Sequence, residues 1–170
     1  NGADEIVGGS GRDSIKGEGG PDELHGGGDN DYIDGGNHDD IINGNTGNDR
    51  LFGDDGDDDI RGLGGDDFLN GGDGDDTLQG EGGTDTLVGG AGNDYYILGG
   101  SNGVAVEASG GGTDTIKSNV LQYTLAANIE MLELGSGFIG YGNSSANTLI
   151  GNSLSNFLYG AAGSDSISAA

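Results

Sequence analysis

The chain repeats a nine-residue pattern ten times without interruption, from Gly8 to Ile97. Position one of every copy is glycine, position six is always aspartate, and position eight is always a large apolar or aromatic residue. An incomplete copy precedes the series and carries Asp4 and Ile6 at the same two positions. A fixed short period of this kind is typical of a solenoid, in which each unit stacks on its neighbours.

Each unit has the residues for one turn and one short strand. Glycine at positions one, two and four permits the positive φ angles of a tight turn. Three residues around position eight, such as Ser14-Ile15-Lys16, suffice for a minimal strand whose central side chain points to one face. Eighteen residues then complete one coil. The sequence predicts an all-β fold, a parallel β-roll or β-helix solenoid, with isoleucine and leucine from both sides meeting in a narrow core.

Composition alone argues against a folded chain. The 170 residues include 41 glycines and one proline, the hydrophobic fraction is 31%, and the net charge is −25. Such a chain buries too little apolar surface to offset the entropy lost on folding. The period resolves the conflict, because it places the carboxylates in register, where a cation would cross-link them. The sequence therefore predicts that a metal contributes to folding.

The turn supplies the ligands that calcium prefers. Calcium binds six to eight oxygen atoms and mixes carboxylates with backbone carbonyls, and glycine lets carbonyls point inward. Successive turns lie on opposite edges of a roll, so the partner of Asp13 is Asp31, eighteen residues on, and the partner of Asp22 is Asp40. Pairing copies in this way, from Asp4/Asp22 to Asp76/Asp94, predicts about nine calcium ions.

The pattern resembles the RTX, or haemolysin-type, calcium-binding repeat Gly-Gly-x-Gly-x-Asp-x-U-x, where U is a large apolar residue. The resemblance implies that aspartates of successive coils bridge calcium and that the carbonyls of positions two and four complete each shell. The implied aspartate ligands are Asp4, Asp13, Asp22, Asp31, Asp40, Asp49, Asp58, Asp67, Asp76, Asp85, Asp94 and, in a later near-copy, Asp114. The implied glycine ligands are Gly9, Gly11, Gly20, Gly27, Gly36, Gly47, Gly56, Gly65, Gly72, Gly74, Gly83, Gly90 and Gly92.

Three regions follow from the period. Residues 1–97 form the calcium-binding roll. Residues 98–141 break the phase, with a turn at Ser101-Asn102-Gly103, a strand at Val104–Val106 and one near-copy around Asp114, and are predicted to form wider, irregular coils. Residues 142–170 resume the period with Asn147 and Asn156 in place of aspartate. Stacked amides are expected to hold these last coils, which bind calcium weakly or not at all and form a C-terminal cap or a stacking end.

Ten further aspartates lie outside position six: Asp29, Asp34, Asp39, Asp54, Asp55, Asp57, Asp59, Asp66, Asp73 and Asp75. They are predicted to form a solvated acidic surface. Asp54 and Asp73, read as turn residues, are the candidates for an additional ligand.

Other functional classes find little support. The chain has no cysteine, so it forms no disulfide or thiolate site. No apolar run is long enough to span a membrane, and the acidity argues against nucleic acid as a partner. No catalytic motif stands out, so the chain is predicted not to be an enzyme.

Two functions remain open. The resemblance implies a secreted module that leaves the cell unfolded by type I secretion and folds in extracellular calcium. The alternative is a structural subunit of an extracellular filament, surface layer or matrix. This alternative arises because Ala169-Ala170 followed by Asn1–Val7 would make an in-phase nonapeptide, which indicates either a piece of a longer array or head-to-tail stacking.

Overall fold

The computed structural model describes residues 2–99 and 103–169, and these residues form nineteen strands and no helix. In chain order the strands are β1 Glu5–Ser10, β2 Ser14–Gly19, β3 Glu23–Gly28, β4 Tyr32–Asn37, β5 Ile41–Thr46, β6 Arg50–Asp55, β7 Asp59–Gly64, β8 Phe68–Asp73, β9 Thr77–Gly82, β10 Thr86–Ala91, β11 Tyr95–Leu98, β12 Val104–Val106, β13 Thr115–Ser118, β14 Gln122–Thr124, β15 Met131–Leu134, β16 Ile139–Tyr141, β17 Thr148–Ile150, β18 Phe157–Tyr159 and β19 Ser166–Ser168. The described residues therefore contain no helix that is long and apolar enough to cross a membrane.

The strands alternate between two faces of a parallel solenoid. All odd-numbered strands form one ten-stranded sheet, from β1 to β19. The even-numbered strands form a six-stranded sheet from β2 to β12 and a three-stranded sheet of β14, β16 and β18. Within the repeats, paired residues lie eighteen positions apart, as in Leu24 with Ile42. The predicted all-β roll, with two strands in each coil, is confirmed.

Position eight supplies the core, as the sequence predicts. These side chains form a single column between the two sheets and are at most 5% exposed. They are Ile15, Leu24, Ile33, Ile42, Leu51, Ile60, Leu69, Leu78, Leu87 and Tyr96. Beyond the repeats the column continues through Ile116, Leu132 and Leu149, all fully buried. The irregular coils thus extend the same core, and the ten-stranded sheet passes through them without a break. Of the turn predicted at Ser101-Asn102-Gly103, the first two residues lie outside the described residues.

The strands of the repeats are twice as long as the predicted three residues. Each of β1 to β10 spans six residues, which are positions seven to nine of one copy and one to three of the next. Pairing of β2 with β4 includes Ser14 to Lys16, passes over Gly17 and resumes at Glu18. The glycine-rich half is therefore part of the sheet, because its backbone bonds to the coils above and below even where φ is positive.

Position two adopts positive φ in every copy, whether or not it is glycine. Its glycines have φ between 103° and 124°, whereas its other residues have φ between 65° and 77°. A Cβ built on Gly27 would collide with the carbonyl oxygen of Gly9 in the preceding coil. Residues with a Cβ therefore have a smaller positive φ than glycine, within the left-handed region that is sterically allowed to them. Stacking of the coils imposes this conformation, so the sequence pattern tolerates five substitutions there: Glu18, Asn45, Asp54, Leu63 and Glu81.

Leu63 gives a direct test of that strain. Its φ is 75°, and the residue paired with it in β5 is Asn45, at φ 77°. Asparagine adopts the left-handed region far more readily than leucine. We expect Leu63→Asn to raise the free energy of unfolding by about 0.5–1 kcal/mol and Leu63→Val, with its branched Cβ, to lower it by about 1 kcal/mol. Denaturant unfolding in saturating calcium measures both; equal stability of the two variants would contradict the assignment of strain to this position.

Candidate metal centre

The position-six aspartates form two ladders, one along each edge of the roll. The long ladder precedes the odd-numbered strands and consists of Asp4, Asp22, Asp40, Asp58, Asp76, Asp94 and Asp114. The short ladder precedes the even-numbered strands and consists of Asp13, Asp31, Asp49, Asp67 and Asp85. In each step the backbone N–H of one aspartate donates to Oδ1 of the next, at 2.7–3.0 Å. The predicted neighbours, Asp13 with Asp31 and Asp22 with Asp40, therefore lie side by side.

The second carboxylate oxygen has no partner in most of these residues. Oδ2 is buried and accepts no hydrogen bond in Asp13, Asp22, Asp31, Asp40, Asp49, Asp58, Asp67, Asp76, Asp94 and Asp114. From Asp22 onward the ladder residues are at most 3% exposed. A buried carboxylate oxygen without a partner is strongly unfavourable unless a cation compensates it.

Glycine at position one makes the space for this oxygen. A Cβ added to Gly17 would lie 2.5 Å from Oδ2 of Asp22 and 2.5 Å from the carbonyl oxygen of Gly35. The same two kinds of oxygen, from a carboxylate and from the position-one carbonyl one coil later, converge beside Gly8, Gly26, Gly35 and Gly44. The position-one carbonyl was not foreseen as part of the site. The donors are all oxygen, which suits a hard divalent cation such as calcium.

The electrostatics of the ladders fit the same reading. Burial raises the pKa of Asp58, Asp67 and Asp94 to about 7 and that of Asp76 to about 8. Neighbouring carboxylates contribute to these raised pKa values, as Asp58 does for Asp76. Burial also raises the pKa of Asp40, Asp49, Asp85 and Asp114. Near neutral pH, the metal-free roll therefore disfavours the ionised form of these ladder carboxylates. A bound cation would favour the ionised form and lower their pKa values.

The family model of the RTX calcium-binding nonapeptide repeat, which describes four copies, matches residues 1–33, 34–69, 61–96, 70–104 and 141–170. The chain belongs to the RTX calcium-binding repeat family. It is a calcium-binding β-roll, a structural and non-catalytic kind of domain. No curated protein and no solved structure matches the chain.

The thirteen glycines assigned to the RTX turns all have positive φ, between 103° and 144°. All thirteen thus have the positive φ that the glycine pattern predicts, although those at position two lie within strands and not in a turn. Position four is left-handed even where glycine is absent, at Asp29 with φ 73° and His38 with φ 86°. Binding of calcium by individual carbonyls at positions two and four stays a prediction.

Some of the aspartates outside position six accept hydrogen bonds from the backbone of the next coil. Asp39, Asp57, Asp66 and Asp75 occupy position five and, with asparagines at that position, form two outer ladders, one along each edge. In both, a side-chain oxygen accepts from a backbone N–H eighteen residues later. The recurrence of Asn or Asp at position five is the sequence signal for these ladders. Their side chains remain exposed, in agreement with an acidic surface.

The prediction that Asp54 and Asp73 lie in turns is wrong. Asp54 lies at position two in β6, and Asp73 lies at position three in β8. Both residues are exposed. Asp54 nevertheless lies close enough to Asp58 of the long ladder for its charge to raise the pKa of that carboxyl. Burial and the nearby charge of Asp34 raise the pKa of Asp54.

The C-terminal coils replace carboxylates with amides, but the amides do not stack on one another as expected. Nδ2 of Asn147 donates to the carbonyl of Ile129, and Nδ2 of Asn156 donates to the carbonyl of Gly137. Asn143 and Asn152, four residues earlier in each turn, donate to the same carbonyls. Asn147 and Asn156 precede strands on opposite faces, β17 and β18, so they do not stack on each other. The N–H of Asn147 instead donates to Oδ1 of Asp165, eighteen residues later, at 3.0 Å. In these coils an amide N–H₂ group satisfies carbonyls that belong to the preceding coil.

Glu107, which the sequence did not single out, lies with two of the ladder aspartates. Its carboxylate lies beside those of Asp94 and Asp114, with one ligand oxygen of each residue within 4.8 Å of the others, and all three residues are buried. The signal was available, since Val88 pairs with Val106 and Glu107 therefore follows Gly89 by one coil. Glu107 stands where the repeats have the position-one glycine.

Proposed function

We propose that this chain is an extracellular RTX module that remains unfolded while calcium is scarce and folds into the β-roll when it meets calcium after secretion. The observation that carries the proposal is the pair of ladders of buried carboxylates with unpartnered Oδ2 atoms. A chain with net charge −25 cannot hold these groups ionised in its interior without cations. Folding and calcium binding are then one event.

The proposed ligands are the ladder aspartates and the glycine carbonyls at positions two and four, with about nine ions in all. The position-one carbonyls next to each Oδ2 are additional donors. Calcium would supply the counter-charge and tie each coil to the next along both edges. That number of ions reduces the net charge from −25 to about −7, a value suited to a soluble particle.

Secretion is a family-level inference. RTX repeat proteins are typically exported by type I secretion, which passes an unfolded chain. Extracellular calcium modules commonly bind with dissociation constants of about 10⁻⁴–10⁻³ M, so that the cytosol leaves them unloaded and the outside loads them. A role without catalysis of its own, in support of a larger secreted protein, follows from the same reading.

Sedimentation velocity tests the proposal. In excess chelator we expect a slowly sedimenting, expanded monomer, and in about 5 mM calcium a single compact monomer. No change on adding calcium would overturn the proposal. Growth into large, open-ended species in calcium would favour the structural subunit of a filament or layer instead. In that alternative, the end of one chain would continue the nonapeptide period into the start of the next. This nonapeptide includes Asn1 and Ala170, which lie outside the described residues.

A pair of adjacent variants identifies the ligands. Asp67→Asn keeps the acceptor for the N–H of Asp49 but removes a buried charge that borders two successive steps of the short ladder. Asp66→Asn removes one negative charge from an exposed outer ladder and keeps the acceptor for the N–H of Thr84. By equilibrium dialysis we expect Asp67→Asn to lose one or two calcium ions, because each ladder carboxylate lies between two neighbouring coils and can contribute to two ion sites. We expect Asp66→Asn to lose none. Equal stoichiometry in both variants would remove Asp67 from the ligand set.

A further inference from the structure

The regular ladder changes where the repeats meet the irregular coils. Each earlier step of the long ladder spans eighteen residues, but the step from Asp94 to Asp114 spans twenty, with the N–H of Asp94 still 2.9 Å from Oδ1 of Asp114. The ladder geometry is thus retained while the coil between gains two residues. That extra length lies in the segment that holds Glu107.

Glu107 brings a side chain to a position where the repeats exclude one. Strand β12 pairs Val104 to Val106 with Thr86 to Val88, so Glu107 occupies position one of its coil. At this position in the repeats a Cβ would meet the aspartate Oδ2 and a carbonyl oxygen. Here the longer coil admits the glutamate, which is 8% exposed.

The carboxylate of Glu107 brings a charged oxygen to the place where the repeats bring a backbone carbonyl. Beside Gly71 the converging oxygens are Oδ2 of Asp76 and the carbonyl oxygen of Gly89. Beside Gly89, one coil later, they are Oδ2 of Asp94, Oε1 of Glu107 and the hydroxyl of Tyr96. A charged oxygen and a phenol oxygen therefore lie here nearly as close to the glycine as the aspartate oxygen does.

Two of the three carboxylates have an oxygen that nothing satisfies. Asp94 and Asp114 are each 1% exposed, and Oδ2 of both lacks a hydrogen-bond partner. Glu107 is held in place from two sides, since Tyr96 donates its hydroxyl to Oε1 and the N–H of Ala108 donates to Oε2 at 3.1 Å. The ion pairs found within residues 2–99 and 103–169 all lie elsewhere. The cluster therefore contains three buried carboxylates and no basic side chain paired with them.

From this geometry we infer that Asp94, Glu107 and Asp114 hold one further calcium ion, at the junction of the nonapeptide roll with the irregular coils. Three carboxylates with an all-oxygen surrounding match the preference of calcium for hard, charged donors, and more charged ligands give tighter binding. The site differs from those of the repeats by its third carboxylate and its tyrosine. The bound ion would connect the twenty-residue coil to the last eighteen-residue coil of the repeats. The inference rests on the proposed calcium-binding function.

Tyr96 is the core residue of this coil and marks the site. Every other position-eight residue from Ile15 to Leu87 is isoleucine or leucine, whereas Tyr96 is fully buried and directs its hydroxyl to Glu107. Terbium replaces calcium at oxygen sites, and its emission is sensitised by a tyrosine in contact with it. Tyr96 therefore offers an optical probe of this one site.

The test compares two glutamates that each accept a hydroxyl from a neighbouring tyrosine. Glu107→Gln removes the buried charge, while Glu133→Gln changes the glutamate that Tyr95 contacts on the outer face of the odd-numbered sheet, at 2.9 Å. With calcium as the titrant, we expect Glu107→Gln to lose one bound ion, or to bind it at least tenfold more weakly, and Glu133→Gln to match the parent chain. Unchanged stoichiometry and affinity in Glu107→Gln would overturn the inference.

A second measurement decides the matter should Glu107→Gln fail to fold. Tyr96→Phe keeps the ring in the core and removes only the hydroxyl. We expect terbium emission excited through tyrosine to fall by at least half in this variant, whereas Tyr95→Phe leaves it unchanged. Emission equal to that of the parent chain would exclude an ion beside Tyr96. If the parent chain itself bound no calcium, the proposed function would fail; if it bound calcium but both variants matched it, only the junction site would fail.

Discussion

Gly62→Ala is expected to destabilise the calcium-loaded roll by about 1–3 kcal/mol, because its added methyl group has no room. A Cβ on Gly62 would collide with Oδ2 of Asp67 and lie 2.9 Å from Cγ of the same residue. The carboxylate must move away from its position in the short ladder. We therefore expect a loss of bound calcium together with the loss of stability, measured by calcium titration and by denaturant unfolding in saturating calcium.

Gly64→Ala is the matched control in the same strand, β7. Its nearest atom outside the adjacent residues is the carbonyl oxygen of Asn45, at 3.6 Å from the added Cβ, which is ordinary van der Waals contact. We expect its free energy of unfolding to stay within about 0.5 kcal/mol of the parent value and its calcium stoichiometry to be unchanged. Similar effects of the two alanines would show that position one is glycine for backbone reasons and not to accommodate the carboxylate.

Acid is expected to favour folding of the calcium-free chain. The pKa values of Asp58, Asp67 and Asp94 are about 7 and that of Asp76 is about 8 in the fold, against about 4 in an unfolded chain. Groups whose pKa is raised by folding contribute stability that is complete below pH 4 and is lost as the pH rises through 7 to 8. Between pH 8 and pH 5.5, metal-free protein should gain β-sheet signal in circular dichroism and sediment faster.

Calcium reverses the direction of this dependence. The ladder carboxylates, as the proposed ligands, would bind the ion in their deprotonated form, so protons would compete with it. We expect the calcium concentration at the folding midpoint to fall about tenfold or more between pH 5.5 and pH 8. Metal-free protein that is more folded at pH 8 than at pH 5.5 would contradict the assignment of these carboxyls as buried and mutually repelling.

Much of the fold follows from the period itself. The core column from Ile15 to Tyr96, the eighteen-residue coil and the pairing of Asp13 with Asp31 were all predicted from spacing. These features repeat at a constant interval, so one unit defines its neighbours. The strand length was not predicted, because glycine at positions one and two suggested a turn where the backbone continues to pair with adjacent coils.

Details that depend on one particular coil could not be predicted from the sequence. The amides of Asn147 and Asn156 bond to carbonyls of the preceding coil, a contact that depends on how the irregular coils stack beneath them. Leu63 lies at positive φ because the coils around it impose that conformation, against its own preference. None of these three features follows from the pattern alone.

The sequence by itself determined that this chain forms a calcium-binding roll, because a repeat of fixed length places its aspartates and its apolar side chains in register. Only the tertiary structure decided that Glu107 joins Asp94 and Asp114. That encounter requires a coil two residues longer than the rest, which shifts the phase of the repeat while the strand register continues unchanged. Glu107 keeps the eighteen-residue spacing from Gly89, but Asp94 and Asp114 are twenty residues apart. A local pattern records constant spacing, so the meeting of these three side chains depends on contacts that the period does not define.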